Sequence, residues 1–220
     1  CNLRCANCNR SCTQAPSNLD LPLERIQAFL DESRARGIGW QRIRLLGGEP
    51  TLHPDLPAIL ETLQAYLRDH RPNLRIVLCT NGHGPRVARV LAHLPAGIVV
   101  KSTAKGPRQR LFRPFNLAPM DLRRYRWADF SSGCRILEDC GIGLTPLGIY
   151  PCAVAGGIDR IFGFGLGRPA LPADHDEMPA ERAVFCRLCG HFGFAWPTRR
   201  PRLSPTWERA YRRRGRIVDT

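Results

Sequence analysis

The chain opens Cys1-Asn2-Leu3-Arg4-Cys5-Ala6-Asn7-Cys8, three thiols at the spacing C-x3-C-x2-C. Three thiolates on a short loop can hold three corners of a cubane [4Fe–4S] cluster. A fourth protein ligand would saturate the cluster, as in electron carriers, whereas three leave one iron open to a small molecule. A second set lies further along: Cys140, Cys152 and the C-x2-C turn Cys186-Arg187-Leu188-Cys189. Two ligand pairs brought together by a fold make a closed metal site, and Cys134 competes with Cys140 for the first position. Zinc is the alternative metal for this second set. For the opening loop the alternative is a zinc ribbon joining Cys5-x2-Cys8 to Cys186-x2-Cys189, which gives Cys1 no role. Cys12 falls outside the three-cysteine pattern and is read as non-ligating, and Cys79, inside an apolar run, as a small core residue.

The elements that must position these thiols follow from periodicity. Asp20 is expected to cap a helix running to about Arg36, with Leu23, Ile26 and Leu30 on one face and Gly37 as its stop. Ile43 to Leu46 reads as a short strand, and Leu56, Ile59, Leu60, Leu63 and Leu67 recur at helical spacing. Leu74 to Cys79 is a buried strand, Val87, Val90, Leu91 and Leu94 mark a third helix, and Ile98 to Lys101 a third strand. This alternation predicts a parallel α/β sheet with right-handed crossovers. Ligands in such sheets gather beyond the carboxyl ends of the strands, where Gly47-Gly48-Glu49-Pro50, Thr80-Asn81 and Ser102 all fall. No further βα unit is evident between Thr103 and Gly133, so the expected fold is an abbreviated, open partial barrel. From Cys134 the texture changes to a small Cys-rich appendage. A β-hairpin is expected over Gly141–Thr145 and Ile149–Cys152, then a Gly- and Pro-rich stretch, the C-x2-C turn, and a short basic helix opening at Ser204-Pro205-Thr206-Trp207. The expected domains are 1–130 and 131–220.

Composition narrows the classes. At 220 residues and 43% hydrophobic, the chain suits one compact domain, or one with a small appendage, and is too apolar for disorder. No apolar run is long enough to span a bilayer. The chain begins at Cys1 without an initiator Met, and residues upstream are expected. Ten cysteines grouped at metal-ligand spacings, in a chain able to bury its own core, argue for metal binding in a cytoplasmic protein rather than secreted disulfides. The net charge of +14 is almost all Arg and spread along the chain, so by itself it selects no partner among RNA, an acidic protein and an anionic substrate.

The cysteine loop followed by Gly47-Gly48-Glu49-Pro50 resembles the radical S-adenosylmethionine (radical SAM) enzymes. By that resemblance Cys1, Cys5 and Cys8 hold a [4Fe–4S] cluster whose open iron chelates the amino and carboxylate groups of SAM. Gly47, Gly48, Glu49 and Pro50 then lie against the methionine amino group, and Thr80, Asn81 and Ser102 near the ribose and carboxylate, with Lys101 a candidate salt-bridge partner. Asn7 stands where the family often has an aromatic residue. Gly148-Ile149-Tyr150-Pro151-Cys152 looks like the G-x-x-P-C hairpin of the SPASM and twitch appendages, which carry auxiliary [4Fe–4S] clusters. The resemblance thus implies Cys140, Cys152, Cys186 and Cys189 as ligands of one auxiliary cluster, a twitch-like arrangement.

The implied activity is reductive cleavage of SAM, with a low-potential donor such as flavodoxin or ferredoxin, to a 5′-deoxyadenosyl radical. That radical abstracts hydrogen from a small polar molecule or a peptide. No leader-peptide-binding domain is evident, which favours the small polar substrate. Glu138, Asp139 and Asp159 are acid–base candidates, and His53 and Asp55 are read as serving a helix entry. Arg108, Arg110, Arg113, Phe112 and Phe115 are candidates for a substrate mouth, and Trp127, Trp196 and Trp207 for packing anchors. Two rival classes remain: a zinc-stabilised nucleic-acid-binding module, and a cluster-bearing activating or electron-transfer subunit.

Overall fold

Periodicity decides the first half of the fold. A computed structural model describes residues 1–5, 7–104, 115–193, 196 and 203–213. The chain divides into two units, Cys1–Leu3 with Leu19–Arg108, and Arg4–Asn18 with Gln109–Thr220.

In the first unit, helices α1 (Leu23–Ala35), α2 (Leu56–His70) and α3 (Pro85–Ala92) alternate with strands β1 (Arg42–Leu45), β2 (Arg75–Thr80) and β3 (Ile98–Ser102). The strands form one parallel sheet in the order β1-β2-β3, with Ile43 opposite Ile76 and Leu78 opposite Val100. The α/β class and the parallel sheet are therefore present. Helix α2 buries Leu56, Ile59, Leu60, Leu63 and Tyr66, the stripe its spacing demands. Leu56 and Leu60 close over Leu78 with Leu45, Val90 and Ile98 around them. Helix α1 departs from expectation at its start. Pro22 occupies the N-cap and no side chain caps it, so Asp20 lies upstream of the helix. The proline ring fixes φ and sets the chain extended there, which starts the helix two residues later than a capping aspartate would. Gly37 takes φ +64 and its N–H donates to the Arg34 carbonyl, ending α1.

The second unit holds α4 (Arg135–Cys140), β4 (Gly143–Thr145), β5 (Gly148–Tyr150), α5 (Ala153–Phe162), α6 (Pro179–Cys186) and α7 (Pro205–Arg213). Strands β4 and β5 pair antiparallel, Gly143 opposite Tyr150. Its core is aromatic. Trp207 of α7 is fully buried, meets the rings of Phe115 and Phe162 edge-on at 5.0 Å each, and donates through Nε1 to the Leu188 carbonyl at 2.7 Å. Such a ring needs a partner for its N–H when buried, and this carbonyl supplies it. Phe115 is 1% exposed and so packs the core rather than a substrate mouth. Trp207 is an anchor, whereas Trp127 and Trp196 are 85% and 75% exposed and lie outside the core. Arg108, Arg110, Phe112 and Arg113 lie outside the described residues.

Arg123, Arg124 and Arg126 are exposed, the last lying over the Trp127 ring at 4.5 Å. Among the described residues, no helix is long and apolar enough to cross a membrane. Leu78→Ala, at a fully buried position, is expected to destabilise the protein by about 2–5 kcal/mol in denaturant unfolding followed by circular dichroism. Leu19→Ala, at a position 44% exposed, is expected to stay within about 0.5 kcal/mol.

Candidate functional site

Two groups of chemistry-bearing residues emerge, one in each unit. In the first unit the carboxyl ends of β1, β2 and β3 run into Gly47-Gly48-Glu49-Pro50, Asn81 and Ser102–Thr103. Glu49 ties these ends together. It is 4% exposed, and its Oε1 accepts from the Thr51 N–H at 3.2 Å, the Thr51 hydroxyl at 2.8 Å and the Thr80 hydroxyl at 2.8 Å. Its Oε2 accepts from the Asn81 N–H at 2.7 Å. A carboxylate out of water is tolerated only when hydrogen-bonded in this way. The Glu49 and Thr80 side chains are thus engaged with the protein itself. Pro50 fits the first turn that follows, where a missing N–H costs nothing.

Asn81 carries the connection outward. Its Nδ2 donates to the Asn2 side-chain oxygen at 2.9 Å and approaches the Cys1 sulfur at 3.9 Å, while Oδ1 accepts from the His83 N–H. Asn2 in turn donates to the His83 carbonyl at 2.6 Å. Gly48 explains why Cys1 can sit here. A Cβ on Gly48 would lie 2.8 Å from the Cys1 Cβ, whereas one on Gly47 would meet nothing within 4 Å. Only the second glycine of the pair is sterically required. Ser102 is exposed and its hydroxyl accepts from the Ala104 N–H. Lys101 is exposed beside it, and the His53 ring accepts from the Asp55 N–H at the entry to α2.

Cys5 and Cys8 belong to the second unit, on a turn that Gln14 pins by donating to the Cys5 carbonyl at 2.8 Å. Cys12 hydrogen-bonds the Cys8 sulfur, and that bond, with burial, holds the Cys12 thiol far above its ordinary pKa. All ten cysteines are free thiols.

The second group surrounds a small, partly open cavity. Cys134, Cys152, Cys186 and Cys189 all line it, with Ile136, Leu137, Val154, Ile158, Phe185 and His191. Cys134 is the N-cap of α4 and Cys152 the N-cap of α5; the Leu137 and Ala155 N–H groups donate to their carbonyls, and the first-turn N–H groups lie close enough to their thiols to oppose the rise in pKa. Cys186 ends α6 and Cys189 sits on the turn after it, receiving the His191 N–H. Burial is the main cause that raises all four thiol pKa values, Cys186 to about 12, and the other sulfurs add to it. Cys140, at the far end of α4, is not among the lining residues.

Four thiols around one cavity are a donor set of the kind that holds a metal ion or a cluster. Among the described residues, no three His, Cys, Asp or Glu side chains are grouped tightly enough to hold one metal ion. A cubane spreads its ligands over separate corners, which four thiols around a cavity can reach. In the first unit the fit rests on Gly48, whose missing Cβ makes room for Cys1.

Of the acid–base candidates, Asp159 is accounted for structurally. It is 1% exposed and accepts from the Tyr150 hydroxyl at 2.7 Å and from the N–H groups of Phe164, Gly165 and Leu166. That leaves it closing the end of α5, with its lone pairs spent. The helix-terminal donors at Cys134 and Cys152 were not foreseen from sequence. Their only signal was a cysteine standing just before a short helical segment.

These arrangements can be set beside known proteins. The family model "Radical SAM superfamily" matches residues 1–150, and the chain belongs to that superfamily of enzymes. Among individual relatives, "GTP 3',8-cyclase 1" of Mycobacterium tuberculosis is 34% identical over 84 residues, 37% of this chain and 23% of the relative. "GTP 3',8-cyclase" of Nautilia profundicola is 38% identical over 85 residues, 38% of this chain and 25% of the relative. "Probable GTP 3',8-cyclase" of Archaeoglobus fulgidus is 27% identical over 164 residues, 71% of this chain and 47% of the relative. The chain thus spans about a quarter to a half of the length of these relatives. The superfamily implies a [4Fe–4S] cluster and SAM.

The glycine pair gives a direct test. Gly48→Ala is expected to lower iron bound after anaerobic reconstitution, because the new methyl displaces Cys1, while Gly47→Ala matches the parent protein in an iron assay.

Proposed function

We propose that this protein is a radical SAM enzyme in which Cys1, Cys5 and Cys8 hold the SAM-binding [4Fe–4S] cluster and a second cluster sits in the cavity of the second unit. What carries the reading is the superfamily match over residues 1–150 together with the C-x3-C-x2-C loop and the strand ends bearing Gly47 to Pro50. When bound, the first cluster and SAM supply a 5′-deoxyadenosyl radical able to take hydrogen from an unactivated carbon.

The chain's own residues hold and orient. Gly47, Gly48 and Pro50 give a turn whose backbone groups can approach the methionine end of SAM. Glu49 and Thr80 keep that turn fixed from beneath, so their part is positioning. Asn81 and Ser102 remain as polar groups for the rest of the molecule, Asn81 also bracing Cys1. The ligands we assign to the second cluster are Cys134, Cys152, Cys186 and Cys189, with Cys134, which lines the cavity, in the position that the resemblance implied for Cys140. Helix N-termini at two of the four cysteines favour thiolate charge, a recurrent support for bound clusters. Four thiols saturate a cubane, so this second site suits electron transfer better than direct substrate binding. In this reading residues 1–130 carry the SAM chemistry and 131–220 form a twitch-like appendage.

A small polar molecule is the substrate class we favour, with a peptide as the alternative, and a flavodoxin- or ferredoxin-like protein as reductant. The relatives' names point to a nucleotide for those proteins, and a nucleotide is one small polar candidate to try here.

Anaerobically reconstituted protein given dithionite and SAM is expected to release 5′-deoxyadenosine, and Cys5→Ala to release none. Absence of the product from the unsubstituted protein overturns the proposal. Iron analysis should give about eight irons per chain, falling to about four in Cys134→Ala and staying at about eight in Cys140→Ala. Four irons before any substitution would remove the second cluster and leave the first.

A further inference from the structure

Beside the four-thiol cavity lies an arginine with no ion pair among the described residues. Arg10 is half-buried, and its Nη1 is shut off from water with no hydrogen-bond partner among the described residues. Arg182, the other arginine acting on this group of thiols, is already compensated by Glu177 at 2.7 Å. A guanidinium out of water without an anion is costly, and such a charge ordinarily sits beside a carboxylate or another anionic group.

The backbone holds Arg10 in place. A Cβ on Gly157 of α5 would lie 2.9 Å from the Asn9 carbonyl oxygen and 3.2 Å from the Arg10 Cα. Only a glycine there lets the opening loop lie against α5, and the N-cap of α5 is Cys152. Arg160, also on α5, donates to the Ser17 carbonyl at 2.6 Å and fastens the far side of the same loop. The loop that carries Arg10 is thus held against the helix whose N-cap is Cys152. Asn9 adds a second link, its Nδ2 lying 3.4 Å from Nε2 of His191 at the cavity wall.

We propose that Arg10 is the fixed counter-charge of the cluster held by Cys134, Cys152, Cys186 and Cys189, a positioning residue that sets its reduction potential. This rests on reading the cavity as a cluster site. A thiolate-ligated cubane is net negative and becomes more so on reduction, so a fixed positive charge favours the reduced form. Removing that charge lowers the midpoint potential. Arg10 comes from the loop that carries Cys5 and Cys8, so one segment supplies thiols to the first site and a charge to the second.

The test is an EPR-monitored redox titration of the full chain carrying Cys1→Ser, Cys5→Ser and Cys8→Ser, which isolates the second cluster. Arg10→Met and Arg10→Lys are each added to it. Arg10→Met is expected to lower the equilibrium constant for reduction at least tenfold, about 59 mV for one electron. Arg10→Lys, which keeps the charge, is expected to retain most of the parent value. Equal shifts in both variants would assign the effect to packing and overturn the proposal, as would an unchanged midpoint in Arg10→Met at equal iron content. A parent that binds no iron removes the cluster reading itself, and this proposal with it. The same comparison in the wild-type background, on the signal that SAM does not perturb, gives these outcomes without the serine substitutions.

Discussion

The buried carboxylate of Glu49 is the constraint on which the first unit turns. Left unpaired, a carboxylate in such a place would cost several kcal/mol, so all four of its donors must stay in register with it. Those donors come from the turn after β1 and from the end of β2. The two strand ends therefore cannot shift independently. Asn81 receives its place from Glu49 through its backbone N–H and passes it on through its side chain to Asn2 and Cys1. A chain of short polar contacts thus runs from the sheet to the first cysteine. On the proposed function, in which a reacting carbon must sit within reach of a radical, that rigidity matters as much as an extra ligand contact.

How much of this was legible in the sequence depended on which force set each element. Helix α2 and strand β2 are fixed by burial of one apolar stripe or run, and periodicity reads burial well. Helix α5 escaped notice because Gly156 and Gly157 sit in its middle and argue against a helix on propensity. Both are paid for by close approach: a Cβ on Gly156 would strike the Thr145 methyl at 2.6 Å, and one on Gly157 the Asn9 carbonyl. Helix α4 is only six residues long, too short to show a period. For the same reason spacing offered both Cys134 and Cys140 as partners for Cys152. On the proposed assignment the choice rests on which end of α4 faces the cavity, and no local pattern encodes that.

Glu49 was legible as a motif residue, but the partners of its carboxylate were not. A motif says which residue types recur near a ligand but not which of them touch it. Here the carboxylate looks inward, to Thr51 and Thr80, and the neighbouring glycine gives room to Cys1. Asp159 repeats the lesson in the second unit. It stood as an acid–base candidate on residue type alone, yet its oxygens hold the Tyr150 hydroxyl and the chain beyond α5. In both cases the sequence shows a charged group near a site, and only the count of donors around it separates a structural role from a chemical one.

The two sulfur groups differ in donor number, and on the proposed assignment that difference divides their labour. Three cysteines leave an iron for SAM, so the first site must stay accessible, and Cys1 is exposed. Four cysteines close the second, and its walls of Ile136, Leu137, Val154, Ile158 and Phe185 are apolar. A dry wall strengthens every charge near it, which raises the cost of reducing an anionic cluster and makes each compensating dipole count. Two helix N-caps, the His191 N–H and Arg10 all supply positive potential to that place, from four separate segments of chain. Zinc with four thiolates would need less of this, since it undergoes no change of charge. The convergence of so much fixed positive potential on one apolar cavity is therefore an argument for a group that accepts an electron there.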